Sequence, residues 1–245
     1  MTKTIEFVKS TSDKRRFLPK LEPPLAIHTY CDSSYANLPD GRTQGGYIAT
    51  VEGATLGRAC TVEVHSGPLK RVATTPFDGE TIQTCDAVDA TLDLCARLSE
   101  LENGSVESIF AQVAHRHTAP GVPSAVPHLA KGFVHSDSLS LIDSVHSTRL
   151  PNCRRRRVDV AQIRSALENA DLAELDHQCR AANPSDPLTN DRGVTVESRQ
   201  CFDTLYFDGV PPDRPGYPPE QVAAVLQAGR TEYPASLCKC ARVPW

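Results

Sequence analysis

Four acidic residues stand where a sheet protein could bring carboxylates together. Asp32 closes a predicted strand, Glu80 lies in the first turn of a predicted helix, Asp137 closes another strand, and Asp186 follows the last strand. Strand ends of a mixed sheet meet at one edge, so carboxylates gathered there would repel one another unless divalent cations lay between them. Such oxygen ligands favour Mg²⁺ or Mn²⁺, and two ions about 3.5–4 Å apart serve phosphodiester hydrolysis. With 30 acidic residues in the chain, position alone also allows a chance arrangement.

The elements that must position these acids alternate between strands and helices. Period-two patterns over residues 25–31, 47–51 and 59–65 predict an antiparallel meander of three strands. Apolar residues recurring every three or four positions then predict an amphipathic helix from near Asp78 to Gly104. The later elements are a brief strand at Phe133 and Val134, helices over 139–147 and 158–169, and a strand over 172–179. This order predicts an α/β fold with a mixed sheet flanked by helices.

Three segments fall outside this pattern and divide the chain. Residues 1–24 form a basic flexible arm that closes on Pro23 and Pro24, and 104–130 form an insertion rich in proline. The predicted domain covers residues 25–192. Residues 193–245 are predicted to be a proline-rich irregular tail, apart from a short helix at 220–228.

Composition excludes a general attraction to nucleic acids or membranes. The 26 basic and 30 acidic residues give a formal charge of −4, so local patches must carry any such binding. The chain lacks a long apolar stretch or an apolar leader, which predicts a cytoplasmic or nuclear protein that is neither secreted nor membrane-bound. The nine cysteines are scattered and odd in number, which favours reduced thiols. Cys238 and Cys240 lack the usual zinc spacing, and free thiols are the favoured interpretation there.

Five segments carry a resemblance to a known family. They are YCDSSYANLPDGRTQGGYI (30–48), GETIQTCDAVDA (79–90), HSDSLSLIDSVHSTR (135–149), RRRRVDVAQIRSALENADL (154–172) and SDPLTND (185–191). Together they resemble the ribonuclease H domain of copia-type and related retrotransposon Pol polyproteins. The resemblance spans about residues 25–192.

This resemblance implies a ribonuclease H-like fold with a five-stranded mixed sheet. In such a fold Asp32, Glu80, Asp137 and Asp186 would bind two Mg²⁺ ions, or Mn²⁺ in their place, and cleave the RNA strand of an RNA–DNA hybrid. An upstream reverse transcriptase module is the implied protein partner, and no small-molecule cofactor is expected.

Two groups of residues are candidates for holding the hybrid. Ser33 and Ser34 would position 2′-hydroxyls, the feature that separates RNA from DNA, although they also suit an ordinary turn. The basic run Arg154, Arg155, Arg156 and Arg157 would contact phosphates, although it also suits a solvated flank of the following helix.

Departures from the family pattern leave a second function open. His177, Gln178 and Cys179 stand where the family has Trp-Val-Pro, Asn190 replaces a lysine, and Ser185 replaces an alanine. Pro76 interrupts the polar run before Glu80. The alternative is a catalytically degenerate transposon relic that at most binds nucleic acid or a partner. A small-molecule α/β enzyme is disfavoured, because the chain has no glycine-rich phosphate loop or nucleophile elbow.

Overall fold

The computed structural model describes residues 14–53, 57–103, 130–148, 151, 153–190 and 194–212. The predicted insertion, apart from its last residue, lies outside these ranges. So do the short helix predicted at 220–228 and the cysteine pair at 238 and 240.

In the described part of the chain, five strands form one mixed sheet in the order β3-β2-β1-β4-β5. Their bounds are Ala26–Ser34 (β1), Gln44–Glu52 (β2), Ala59–Pro68 (β3), Lys131–Ser136 (β4) and Glu174–His177 (β5). The first three strands pair antiparallel, which confirms the predicted meander. β4 pairs parallel with β1, and β5 pairs parallel with β4. Cys31 is opposite Ser136 in the β1–β4 register, so the next residues, Asp32 and Asp137, emerge at the same edge.

The strand bounds differ from those predicted. β1 continues to Ser34, so Asp32 lies inside the strand, opposite Gly46, rather than at its end. The backbone ladder runs on through polar residues and glycines because its hydrogen bonds do not need an apolar side-chain pattern. β5, predicted over 172–179, is shorter, at Glu174–His177.

Helices cover both faces of the sheet. Their bounds are Pro76–Asn103 (α1), Leu139–His146 (α2), Arg154–Glu168 (α3), Asp186–Thr189 (α4) and Val196–Asp203 (α5), with a π-helical turn at Thr204–Asp208 after α5 and a 3-10 turn at Arg180–Ala182 before α4. One face carries the larger core, whose members come from α1, α2, α3 and the sheet. They include Cys31, Cys85, Val88, Val134, Leu141, Val145, Val160, Ile163 and Leu175. The predicted fold class, an α/β fold with a five-stranded mixed sheet flanked by helices, is confirmed.

α1 begins two residues before the predicted start. Pro76 is its first residue, a position where proline costs no helical hydrogen bond. The hydroxyl of Thr75 accepts a hydrogen bond from the backbone N–H of Asp78, which caps the helix. Glu80 therefore lies in the second turn of α1 rather than in its first turn.

The basic run belongs to α3 rather than to a segment before it. The sequence pattern predicts a helix from 158, but α3 begins at Arg154, because arginine is a good helix former and Arg156 pairs with buried acidic residues. The Arg156 guanidinium lies 3.4 Å from a carboxylate oxygen of Asp78 and 2.6 Å from one of Asp159.

The segment after residue 193 contains a helix where irregular chain is predicted. Leu205, just after α5, is fully buried against Tyr30, Ile48 and Ala59 on the second face of the sheet. Burying a leucine contributes roughly 1.5–3 kcal/mol. This contact therefore anchors α5 to the sheet.

The described part of the basic arm, residues 14–24, has no regular secondary structure and lies against this C-terminal segment. The N–H of Phe17 donates to the carbonyl of Phe207 at 2.8 Å, and Lys14 pairs with Asp203 at 3.2 Å. Among the described residues, no helix has both the length and the apolar character needed to cross a membrane.

Candidate metal centre

Three of the four predicted acids meet at one edge of the sheet. Asp32 comes from β1, Asp137 directly follows β4, and Glu80 reaches them from α1. One carboxylate oxygen from each residue lies within 4.8 Å of the other two. The parallel pairing of β1 and β4 brings the two aspartates side by side, and the oxygen atoms of all three side chains are close enough to share a cation.

The three carboxylates lie close together in a site with little exposure to water, where Asp32 is buried and Glu80 and Asp137 are half-buried. Burial, with the charge of Asp137, raises the pKa of Asp32 to about 7. Burial also raises the pKa of Asp137 to about 6. The pKa of Glu80 lies well above its usual range, because its carboxylate is desolvated and faces the charges of both aspartates. The cluster is therefore costly to ionise unless a positive charge enters it.

The donor set fits a divalent cation. The hydroxyl of Ser33 donates to Oε1 of Glu80 at 2.8 Å, whereas Oε2 is buried and has no hydrogen-bond partner among the described residues. A buried carboxylate oxygen in that condition costs free energy that a bound cation would offset. The donors are all hard oxygens, the ligands that Mg²⁺ and Mn²⁺ prefer.

Asp186, the fourth predicted acid, is near this group but is oriented by its own partners. Its side chain is fully buried, and its Oδ1 accepts from the Arg180 guanidinium at 3.3 Å and the Asn190 amide at 2.9 Å. Its Oδ2 accepts from the hydroxyl of Ser198 at 2.9 Å. The charge of Asp186 adds to the effects of burial and Asp137 that raise the pKa of Asp32.

α4 supplies a contact that the sequence does not indicate. The hydroxyl of Thr189 donates to Oδ2 of Asp32, and both side chains are buried. The Asn190 side chain accepts from the hydroxyl of Ser34 at 2.7 Å while it donates to Asp186. A short segment beyond the last strand thus holds the first strand's acid in place. The only sequence signal was Asn190, a departure from the family pattern.

Arg180 is a second residue that sequence reasoning missed. Its side chain is 59% exposed although it pairs with the fully buried Asp186. Its charge lowers the pKa of Asp32 and of Asp137, opposing the larger effect of burial. A partly exposed cation therefore lies at the rim of the carboxylate cluster.

The candidate hybrid-binding residues fall into two environments. The hydroxyls of Ser33 and Ser34 donate to Glu80 and to Asn190, so both serines are built into the site. Of the basic run, Arg154, Arg155 and Arg157 are exposed. Arg156 is buried and paired with two acids, so its guanidinium is turned away from solvent.

Comparison with known proteins gives matches among solved structures alone. No protein-family model matches the chain, and no curated protein matches it. Ribonuclease H1 from the halophilic archaeon Halobacterium salinarum NRC-1 is similar over 68% of this chain and 96% of its own, with 17% identity and a TM-score of 0.38.

Two further similar structures are a metagenomic enzyme and a viral protein. The match to LC11 ribonuclease H1, isolated from compost, covers 68% of this chain and 94% of that enzyme, with 15% identity and a TM-score of 0.43. The match to the protease-reverse transcriptase of prototype foamy virus covers 80% of this chain and 22% of the viral chain, with 12% identity and a TM-score of 0.38. The fold assignment itself rests on the strand order and pairing described above.

Proposed function

We propose that this chain is a divalent-metal-dependent nuclease that hydrolyses the RNA strand of an RNA–DNA hybrid. The observation that carries the proposal is the meeting of Asp32, Glu80 and Asp137, with ligand oxygens within 4.8 Å, where β1, β4 and α1 converge. The resemblance of the five sequence segments to retrotransposon ribonuclease H domains supports the substrate class.

The roles of the chain's own residues follow from their contacts. Metal ions bound here would supply an activated water and stabilise the leaving oxygen. Asp32, Glu80 and Asp137 would hold the ions, with Asp186 as a fourth acid beside them. Thr189 fixes one oxygen of Asp32, and Ser33 fixes one oxygen of Glu80. These donors keep the carboxylates in place before a cation binds, so less ordering is needed at the moment of binding.

Substrate would be held by the exposed basic residues. Arg154, Arg155 and Arg157 present charges that can contact hybrid phosphates, and such contacts weaken as salt rises. We assign no phosphate contact to Arg156, because its charge is already balanced by Asp78 and Asp159 inside the protein.

We further propose a copia-type retrotransposon Pol polyprotein as the origin of the chain, with Mg²⁺ as its working ion. The five motif segments support this origin. A reverse transcriptase module is the partner that such an origin implies, since it produces the hybrid that this site would cleave.

Cleavage of a labelled RNA–DNA hybrid in Mg²⁺ or Mn²⁺ tests the proposed function. Asp32→Asn and Asp137→Asn remove a ligand charge with little change of shape, so both should abolish cleavage. Asp143→Asn is the matched control, because Asp143 is exposed on α2, outside the cluster. Equal cleavage by the unaltered chain and the two cluster variants would overturn the proposal.

The degenerate relic remains a second candidate because of one observation. Both oxygens of Asp186 are taken up by protein donors, including Asn190 in place of the family's lysine. Calorimetric titration with Mg²⁺ separates the two functions. An enzyme should bind Mg²⁺ and lose that binding in Asp32→Asn. A relic should show no Mg²⁺ binding that depends on the four acids.

A further inference from the structure

α5 carries a serine that donates a hydrogen bond to Asp186, the acid beside the metal centre, from outside the region of family resemblance. The resemblance ends near residue 192, and Ser198 lies beyond it in the segment predicted to be irregular. Its side chain is fully buried, and its hydroxyl lies 2.9 Å from Oδ2 of Asp186, which is also fully buried.

The contacts around Ser198 determine which hydrogen bonds its hydroxyl accepts and donates. Its backbone N–H donates to the Thr195 hydroxyl oxygen at 3.1 Å, which caps α5. The Thr195 hydroxyl lies 3.1 Å from the Ser198 hydroxyl and donates to it. The Ser198 hydroxyl has one proton and two acceptors within reach, the Thr195 carbonyl at 3.2 Å and the Asp186 carboxylate. The carboxylate is the stronger acceptor, so the proton points to Asp186.

Asp186 in turn is the first residue of α4, which also contains Thr189. α4 has four residues, too few to be stable through its own hydrogen bonds. Its position therefore depends on contacts with the rest of the protein. Two uncharged side chains, Ser198 and Asn190, donate hydrogen bonds to the Asp186 carboxylate at 2.9 Å each. The longer bond, at 3.3 Å, comes from the exposed Arg180.

The far end of α4 carries the contact with the metal centre. Thr189 donates to Oδ2 of Asp32, the acid of β1. A change in the position of α4 would therefore move or release the donor that orients Asp32. This gives a continuous chain of contacts from Ser198 through Asp186 and Thr189 to Asp32.

We propose that Ser198 is a positioning residue of the metal centre, which holds α4, and with it the Thr189–Asp32 contact, in the geometry that binds divalent cations. Ser198 acts through Asp186 and makes no contact with substrate. The inference rests on the proposed function and extends it, because it makes the C-terminal segment a part of the site.

Mn²⁺ titration calorimetry on the full chain tests this role, with Ser198→Ala as the variant. Loss of such an outer partner costs about 10–100-fold in metal affinity, so the Mn²⁺ dissociation constant should rise by about tenfold or more. The matched control is Ser99→Ala, at the far end of α1. Ser99 is equally buried, and its hydroxyl joins the Cys95 carbonyl to the N–H of Ala130. This variant should lose thermal stability but keep its Mn²⁺ affinity.

Hydrogen exchange supplies a second readout that needs no metal. In Ser198→Ala the N–H of Asn190, which donates to the Asp186 carbonyl, should exchange faster, whereas in Ser99→Ala it should not. Should Ser198→Ala fail to fold, Asn190→Ala removes another donor from Asp186 and should weaken Mn²⁺ binding in the same direction.

The outcomes separate this proposal from the function it rests on. If the unaltered chain binds Mn²⁺ and Ser198→Ala binds it equally well, or Ser99→Ala is weakened as much, the positioning role is wrong and the function stands. If neither the unaltered chain nor Asp32→Asn binds Mn²⁺, the proposed metal-dependent function is wrong, and the positioning role of Ser198 is wrong with it.

Discussion

The hydroxyl of Thr189 donates a hydrogen bond to Oδ2 of Asp32, across 157 residues of sequence. Asp32 is one of the three acids of the candidate metal centre, and Thr189 is the last residue of the short helix α4. Both side chains are buried, so water cannot replace the bond if it is lost. The orientation of the first strand's carboxylate therefore depends on a segment that follows the last strand.

Thr189→Val should weaken the metal centre while leaving the fold in place. Valine keeps the branched shape but removes the hydroxyl, so Oδ2 of Asp32 loses its donor. We expect the Mn²⁺ dissociation constant and the cleavage rate to worsen by about tenfold, at the lower end of effects seen for outer partners of metal ligands. Thr189→Ser keeps the hydroxyl and should retain most of the affinity. Calorimetry and hybrid cleavage on both variants provide the check, and equal losses in the two would contradict the role of the hydroxyl.

A side chain at Gly46 should destabilise the protein, because β2 approaches α4 closely at that point. A Cβ atom on Gly46 would lie 2.8 Å from Cβ of Leu188 and 3.1 Å from Cγ2 of Thr189, so α4 would have to shift. Gly46→Ala should lower the free energy of unfolding by about 1–3 kcal/mol, as overpacking does. It should also reduce cleavage, since Thr189 moves with α4.

Gly67→Ala is the control for this prediction. A Cβ on Gly67, in the neighbouring strand β3, would have its nearest contact at 3.6 Å. Its effect on the free energy of unfolding should stay within about 0.5 kcal/mol. Urea unfolding measures the free energy of unfolding of both variants. Similar values would show that α4 can shift away from a Cβ at Gly46 without loss of stability.

Much of the sheet could be predicted because its signals are local. Alternation of apolar residues identified the first three strands, and the helical spacing from Ile82 to Leu98 identified α1. Parallel pairing of β1 with β4 then follows from a helical connection, and it places Asp32 and Asp137 together. The meeting of three acids was thus within reach of the sequence.

The contacts around α4 could not be predicted, since they join residues that are distant in sequence and show no periodicity. Nothing local indicates that Asp186 faces Ser198, or that Thr189 faces Asp32.

The burial of Arg156, by contrast, has a signal in the sequence. Arg156 shares a helix face with Val160 and Ile163, four and seven positions later, which would have marked it as buried had the helix been started at Arg154.

The metal-free protein should become more stable as pH falls from about 7. The folded protein has a pKa of about 7 at Asp32 and about 6 at Asp137, against an ordinary value of 3.8 for both in the unfolded chain. The folded state therefore binds protons more tightly in this range. The resulting stabilisation is fully present below the unfolded pKa and is lost as pH rises through the folded values. Melting temperatures in a chelator, from about pH 5 to pH 8, test the trend.

Two comparisons assign this trend to the carboxylate cluster. Asp32→Asn removes the most strongly shifted aspartate, so its melting temperature should change less with pH than that of the unaltered chain. Mn²⁺ competes with protons for the same oxygens, so saturating Mn²⁺ should raise stability most at the higher pH. A pH trend that is unchanged in Asp32→Asn would place its origin elsewhere in the protein.

Arg156 and Arg154, both in the first turn of α3, should differ in their contributions to stability and to hybrid binding. Removing one partner of a buried ion pair leaves an uncompensated charge and costs about 3–5 kcal/mol. Arg156→Ala leaves Asp78 and Asp159 buried, although Asp159 keeps Arg71 at 2.6 Å, so we expect a loss near 3 kcal/mol, the lower end of that range. Urea unfolding gives this value. Hybrid affinity of the folded fraction should be unchanged.

Arg154→Ala should show the opposite pattern, because Arg154 is exposed. Its effect on the free energy of unfolding should stay within about 0.5 kcal/mol. If Arg154 contacts a phosphate, its loss should weaken hybrid binding and lower the slope of log affinity against log salt by about 0.9. Fluorescence anisotropy with a labelled hybrid at several salt concentrations measures that slope. An unchanged slope would remove Arg154 from the binding surface, and a reduced slope in Arg156→Ala would show that the buried guanidinium reaches the substrate after all.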